Sequence, residues 1–539
     1  MPQNKGMSRR DPANVQAWLV GGGIGSLAAA VHLINDANVP ASNIHVLDMH
    51  KGPGGAMQSS GDPEKGYSLG TTCLPFTHDV CVEELLSHVP STTNPDRSVM
   101  AVVRDMERKE KEQGVPSAST RFLVHGKSGP ERVDHRQFSL GFKQRFEVIR
   151  LMVEGEKAVA DKAIKDLFDA SFFNTKFWNL WSTTFALRPE HGAVEFQRRL
   201  RKYLERVKDF NNVSALDRTQ HTLHHSVVLP MASYLKEQGV DFRFDAPVVD
   251  LVMYPDGDPT TVSAIRLEHN GKPTALTTMD PMDIVIVTLG SVSSASVVGS
   301  NNEAPPAQGN YEDITNHDWF LWKMLNTKSN KFGDPSTYIS GTEDSKVETF
   351  TVTLRDSKFL ELFEKLTHDR PGSGALVSIP DSNWMLSLSV PHQPLFPDQP
   401  ANVQVVWGYG LYHNKPGNYV QKPMLDCTGE EILTEVLGHL NIPQDEILPT
   451  AITIPCVTPL GTAAMLKRSQ HNRPEVIPHN TTNLAFVGQF AEIPHDTSFS
   501  MEYSVRGAQL AVYNLMGLDK RPPPVKNNVL LEVLGMLGS

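Results

Sequence analysis

The stretch Ala17–Gly55, AWLVGGGIGSLAAAVHLINDANVPASNIHVLDMHKGPGG, decides how the rest of the chain is read. It opens on a short apolar strand, Trp18-Leu19-Val20. A glycine-rich turn follows, Gly21-Gly22-Gly23-Ile24-Gly25-Ser26, and then a helix of small and apolar residues, Leu27 to Ile34. A second strand, Ile44 to Leu47, ends in Asp48. The pattern is a βαβ unit with an acid at the tip of its second strand. Gly21 permits the tight strand-to-helix turn. Gly23 lets the backbone approach a pyrophosphate, which sits on the helix N-terminus where free N–H groups and the helix dipole favour negative charge. Ile24 and Gly25 continue the turn, and Ser26 takes the place of a third glycine, small enough for close helix–strand packing. Asp48 lies 27 residues after Gly21, so its carboxylate can accept both hydroxyl protons of an adenosine ribose. Gly54-Gly55 is a second turn that lets the backbone pass close to a cofactor. An N-terminal location with Gly-Gly soon after the acid favours FAD over NAD.

Working outward, 539 residues are too many for one small domain. With 40% hydrophobic and 21% charged residues the composition is that of a soluble globular enzyme. A net charge of −11 argues against broad nucleic-acid binding. Cys73, Cys81, Cys427 and Cys456 form no CxxC, so neither a metal site nor a disulfide framework is expected. MPQNKGMSRRDPANVQ lacks the apolar core of a secretory signal, and no apolar run approaches the ~20 residues of a membrane span. The expected location is cytoplasmic, with membrane-peripheral contact as an option.

The expected fold class is α/β: a Rossmann-type FAD-binding domain, discontinuous in sequence, with a mixed α/β substrate domain and helical insertions. Residues 1–15 read as a disordered arm and 16–90 as the FAD-binding βαβ and the start of an active-site segment. Residues 91–225 read as a mainly helical substrate or lid region, where Phe172, Phe173, Phe177, Trp178, Trp181 and Phe185 make an aromatic patch. That patch is either a helix core or, at Trp181 and Phe185, the wall of an apolar-ligand channel. RTQHTLHHSVVL, Arg218 to Leu229, reads as a helix with His221, His224 and His225 on one face, but without the Glu base or third ligand of a zinc motif. Residues 226–300 return to the FAD domain. Asp241 to Met253 reads as one strand that offers Val248 or Val249 to the adenine, and DIVIVTLG as a buried strand running into Gly290. Residues 301–475 form the substrate domain. In 476–539, a strand (Leu484 to Val487), a turn (Gly488-Gln489) and a helix containing Ser504 return N–H groups to the cofactor. The apolar tail after Pro524 reads as a packing helix or a membrane-surface contact.

The segments GGGIGSLAAAVHLI, FWNLWSTTFALRPEHGAVEF, WGYGLYHNKPGNYVQKPMLDCTGEEIL and NLAFVGQFAEIPHDTSFSMEYSVRGAQLAVY, together with Arg218-Thr219 through Pro230, resemble the oleate hydratase family, also called myosin-cross-reactive antigens. The resemblance implies an FAD-dependent fatty-acid double-bond hydratase, a lipid-binding domain, a homodimer, and hydration without net redox. The substrate it implies is a long-chain unsaturated fatty acid or similar lipid. It also brings departures. The family's acid follows an Arg-Gly-Gly-Arg run; here that place holds Leu74 and both arginines are gone. Two tyrosine places hold His221 and His224. Alkene hydration needs a proton donor and a general base, so Asp79, His78 or Glu83 is the candidate for one role and His221, with His224, for the other. Retuning to double-bond isomerisation or proton-initiated cyclisation, or a non-catalytic flavin and lipid carrier, are the alternatives. For the acyl carboxylate, the resemblance points to Pro455–Arg468, with Thr462 as hydroxyl and Lys467 or Arg468 as charge partner.

Overall fold

In this computed structural model the described residues are 9–70, 79–114, 118–133, 140–207, 210, 219–269, 272–307, 318–373 and 376–525. Chain segments far apart in sequence build one five-stranded parallel sheet. Its strands lie in the order Leu484–Val487, Ile284–Thr288, Ala17–Val20, Ile44–Leu47, Asp241–Arg243. Strands covered on both faces read as continuous apolar runs. AWLV, IVIVT and LAFV are such runs, and Leu19, Ile286 and Ala485 are fully buried side by side across the sheet.

The first helix, Ile24–Asn35, crosses back over this sheet with Ala28, Ala29 and Ala30 at zero exposure. The closing helix, Met501–Leu515, packs along it. Asp36, just past the end of the first helix, accepts from Tyr513 Oη at 3.0 Å and from Lys520 Nζ at 2.8 Å.

A second core surrounds a six-stranded antiparallel sheet in the order Val297–Val298, Ala451–Thr458, Val347–Leu354, Gln404–Gly410, Leu386–Ser389, Leu376–Ser378. The Val347–Leu354 strand shows the period of two. Phe350, Val352 and Leu354 enter the core. On the other face the Thr349 hydroxyl donates to Gly70 O at 2.7 Å, while Thr351 and Thr353 hydroxyls accept the Leu69 and Tyr67 N–H groups. The hairpin Ser60–Asp62/Gly66–Ser68 is thereby stitched onto this sheet. A third core joins the helices Phe142–Val153, Lys176–Phe185 and Ala193–Tyr203.

Several expectations change. Residues 9–15 are no loose arm: Val15 is buried, and the Arg10 guanidinium donates to Met282 O at 2.9 Å and Thr482 O at 2.7 Å. The single strand expected over 241–253 is two. Asp241–Arg243 closes the parallel sheet, whereas Val248–Tyr254 pairs with Thr261–His269 in a separate three-stranded antiparallel sheet that includes Lys272–Thr278. Asp245, at φ +52°, turns the chain between them. Residues 319–345, expected in the substrate domain, pack into the first core through Trp319, Trp322, Phe332 and Tyr338. The tail beyond Val525 lies outside the described residues.

Candidate functional site

A cavity of about 630 Å³ opens at the carboxyl ends of the parallel strands, where a doubly wound sheet receives its ligand. The glycine turn lies along it. Gly21 sits at φ +103°, and a Cβ there would meet Thr288 Cβ at 3.0 Å. A Cβ on Gly22 would strike the Asp48 carboxylate, and one on Gly25 would press on Val487 and Gly488. Gly23 differs: among the described residues, its own chain neighbours aside, no atom lies within 4 Å of its would-be Cβ. The side of the turn that a pyrophosphate would approach is therefore clear, beside the N-terminus of the first helix. Ser26, in the third-glycine position, is buried and shares a 2.9 Å hydrogen bond with Thr288 Oγ1. It locks the helix start to the neighbouring strand, where a glycine would only allow the approach.

Asp48 is buried at the cavity edge. Its Oδ2 accepts the Gly22 N–H and its Oδ1 the His50 N–H, the latter at 2.7 Å. Each carboxylate oxygen takes two donors, so one acceptor position on each remains for a ribose hydroxyl. Burial raises the carboxyl above its ordinary value, against these N–H groups and the His50 ring. His50, not anticipated as a site residue, pairs with Asp318 at 2.9 Å, and Ser294 Oγ donates to the same carboxylate at 2.6 Å. His50 and Asp318 both border the cavity.

The remaining cofactor-binding expectations converge on the same wall. Gly54, Gly55, Val248, Gly290, Gly488, Gln489 and Ser504 all line it. Gly290 is at φ +59° with the Trp319 ring 3.0 Å from its would-be Cβ. Strand pairing skips Val249, between Val248↔Leu267 and Asp250↔Arg266. This bulge leaves the Val249 peptide outside the ladder at the cavity. Gln489 holds the turn that leads into the closing helix: its Nε2 donates to Ser500 O and Ser504 Oγ, both at 2.9 Å, and its Oε1 accepts the Phe499 N–H. The apolar part of the lining, Met57, Leu223, Phe320, Leu321, Phe499 and Met501, was not anticipated. These residues come from four separate segments, and only the flanking motif at 488–504 pointed to two of them.

The catalytic and substrate expectations scatter. His224 is not itself among the lining residues but sits behind Gly54, which is: its Cδ2 is 3.5 Å from a would-be Cβ on Gly54, and among the described residues its buried Nδ1 has no partner. Burial pushes its imidazole below the ordinary value, so the ring is neutral at pH 7. His221 does not share a helical face with it. Helical geometry begins only after it, leading into the π-turn His224–Val228, because the residues just before are held elsewhere: the Thr222 N–H donates to Leu395 O and the His221 ring Nδ1 to Pro394 O. His221 faces a smaller, separate cavity of about 300 Å³ with His225 and Ser226. Asp79 sits 3.7 Å from Lys202 Nζ, and that ammonium also reaches Asp496 at 3.3 Å. Asp79 does not border the cofactor cavity. Leu74 and His78 lie outside the described residues.

Trp181 and Phe185 stack at 5.6 Å inside the third core rather than lining either described cavity. The Thr462 hydroxyl is used internally, 3.0 Å from Ser345 O and 3.2 Å from His191 Nε2. Arg468 pairs with Glu492 at 2.7 Å and lies 3.6 Å from Glu195. A substrate carboxylate would have to displace these partners. Among the described residues no group of three or more His, Cys, Asp or Glu is arranged to hold a metal ion, and no helix is long and apolar enough to cross a membrane.

Solved structures share this architecture. A cyclohexylamine oxidase from Brevibacterium oxydans IH-35A aligns with a TM-score of 0.53 at 12% identity, covering 93% of this chain and 99% of its own. A double mutant of putrescine oxidase aligns with a TM-score of 0.50 at 11% identity, covering 93% and 99%. At such identities the likeness concerns the fold alone, which is of the Rossmann type. Sequence relatives are nearer. An oleate hydratase from Streptococcus pyogenes serotype M49 (strain NZ131) is 32% identical over 523 residues, 94% of this chain and 86% of its own length. A linoleate hydratase from Lactiplantibacillus plantarum is 28% identical over 543 residues, 93% and 94%. A family model described as the MCRA family matches residues 14–513, from just ahead of the first strand almost to the end of the closing helix. The chain therefore belongs to the MCRA family.

Proposed function

We propose that the protein binds FAD in the 630 Å³ cavity and adds water across a carbon–carbon double bond of a long-chain unsaturated fatty acid, of the oleate or linoleate kind. The observation that carries the reading is the convergence of the Gly21–Ser26 turn, Asp48 and the 488–504 segment on one cavity, in a chain whose relatives are oleate and linoleate hydratases. The residues suit the cofactor. The open side of Gly23 and the first helix N-terminus would take the pyrophosphate, the free acceptor positions of Asp48 the ribose, and Val248–Val249 the adenine. Bound there, FAD supplies a flat, polarising wall with no net change in its oxidation state.

In hydration the π bond breaks while one carbon gains a proton and the other gains the oxygen of water, whose spare proton passes to a base. His224 is the base we assign. Its neutral ring, buried Nδ1 and position beside Gly54 support this role. Asp79 and Glu83 are paired with Lys202 and Arg104, and the His221 ring is engaged by Pro394 O. We therefore assign the proton donor to His78, in the segment where the family carries its acid. The isomerase and cyclase alternatives rest on Leu74, which cannot donate a proton.

The test incubates the purified flavoprotein with oleate or linoleate, with oxidised and with reduced flavin, and follows products by mass. A gain of one water is expected. A product of unchanged mass would mean isomerisation or cyclisation, and tight lipid binding without turnover would mean a carrier. His224→Ala should lower kcat by about 10²–10⁴-fold with flavin content retained. Unchanged kcat would remove His224 from the chemistry.

A further inference from the structure

Phe499 holds a left-handed backbone conformation, φ +62°. For a bulky side chain this is an outlier, of the sort that persists only where the surroundings dictate it. The frame around it is complete. Ser498 O accepts from Arg199 Nη2 at 2.8 Å, and the Ser498 hydroxyl donates to Glu195 Oε2 at 2.7 Å. Ser500 Oγ accepts the Tyr503 N–H at 3.2 Å, capping the closing helix, and Gln489 grips both Phe499 N–H and Ser500 O. Glycine would relieve the strain, yet the position carries a large ring. That ring borders the cofactor cavity and also packs against the third core, which contains Trp181 and Phe185.

We propose that Phe499 is the specificity-determining residue of the site. Its ring closes the cofactor cavity toward the helical lobe and sets where along an elongated, unsaturated acyl chain the reacting carbons come to rest. The apolar lining on the cavity side, with Leu223, Phe320, Leu321 and Met501, suits a hydrocarbon chain rather than a polar substrate. The proposal rests on the fatty-acid reading above.

The experiment compares wild type with Phe499→Ala, Phe499→Gly and Phe499→Tyr as holoproteins. It reads flavin content, KM for an unsaturated C18 acid as probe, and the position of the new oxygen by fragmentation of the product. Phe499→Ala and Phe499→Gly should keep their flavin, raise KM by about tenfold and spread the oxygen over more than one carbon. Phe499→Tyr should keep the wild-type position. The glycine variant removes ring and backbone strain together, so it remains informative if the alanine variant fails to fold. Wild-type KM and a single product position in Phe499→Gly overturn the proposal while leaving the fatty-acid reading intact. A wild type that neither converts nor binds the acid defeats that reading and this proposal with it.

Discussion

Glu348 stands in the six-stranded sheet on the face of Phe350 and Val352, with zero exposure and, among the described residues, no partner for either carboxylate oxygen. Burial, with the charge of Asp426 adding to it, pushes its carboxyl well above the usual carboxylate range. The folded chain thus keeps a proton that the unfolded chain releases above about pH 4.3. Stability must then fall as pH rises from that value toward the raised folded one. Glu348→Gln should raise Tm, by more at pH 8 than at pH 5; a difference that does not grow with pH would mean the carboxyl is charged where it lies. Asp48 is also raised by burial, but unlike Glu348 its oxygens face donors. Asp48→Ala should weaken FAD binding about tenfold to a hundredfold, read by flavin fluorescence on reconstituting the apoprotein, and full yellow colour after dialysis would count against the ribose contact. Both residues differ in legibility. Asp48 was readable because its role follows from a motif within one βαβ unit. The partners of Asp79 and Arg468, Lys202 and Glu492, come from other elements, so nothing near them in sequence marks them as taken.

Among elements, the two helices flanking the glycine turn act as a pair. Asp36 accepts from Tyr513 and Lys520 and bonds His32 Nδ1 at 2.7 Å. Burial works against its charge, but these hydrogen bonds hold its carboxyl well below the usual range. The contribution is present at neutral pH and is lost as pH falls below about 3.9, the ordinary aspartate value. Asp36→Ala should cost about 1.5–3 kcal/mol in denaturant unfolding at pH 7, with a smaller loss near pH 3. Equal losses at both would mean that packing, not charge, binds the helices. Four of the five parallel strands and the helix Met501–Leu515 were legible because apolar runs and helical spacing are local properties. The 241–253 stretch was not, because its apolar residues serve two sheets and only Asp245 at φ +52° separates them. The RTQHTLHH stretch was not, because the Leu395 carbonyl takes the Thr222 N–H and the Pro394 carbonyl the His221 ring, which delays the helix.

For the molecule as a whole, buried charges bind the helical lobe to the cofactor domain. Glu195, on the Ala193–Tyr203 helix, lies 3.1 Å from Arg473 and 3.3 Å from Arg199, and Arg198 on the same helix reaches Glu492 at 2.6 Å and Glu156 at 2.8 Å. Removing one member leaves the rest uncompensated, which typically costs about 3–5 kcal/mol. Glu195→Gln should lower Tm by several degrees, whereas replacing Glu195 and Arg473 together by Met should lower it less. A double variant as unstable as the sum of its singles would show that the pair is not coupled. The cavity itself is shared in a similar way, lined by Gly21–Gly25 on one side and by residues between Gly488 and Ser504 on another. A chain still on the ribosome has made the first of these long before the second. Until the second arrives, the half-built sheet lacks its Leu484–Val487 edge, and the Ile284–Thr288 strand is left with an unpaired side.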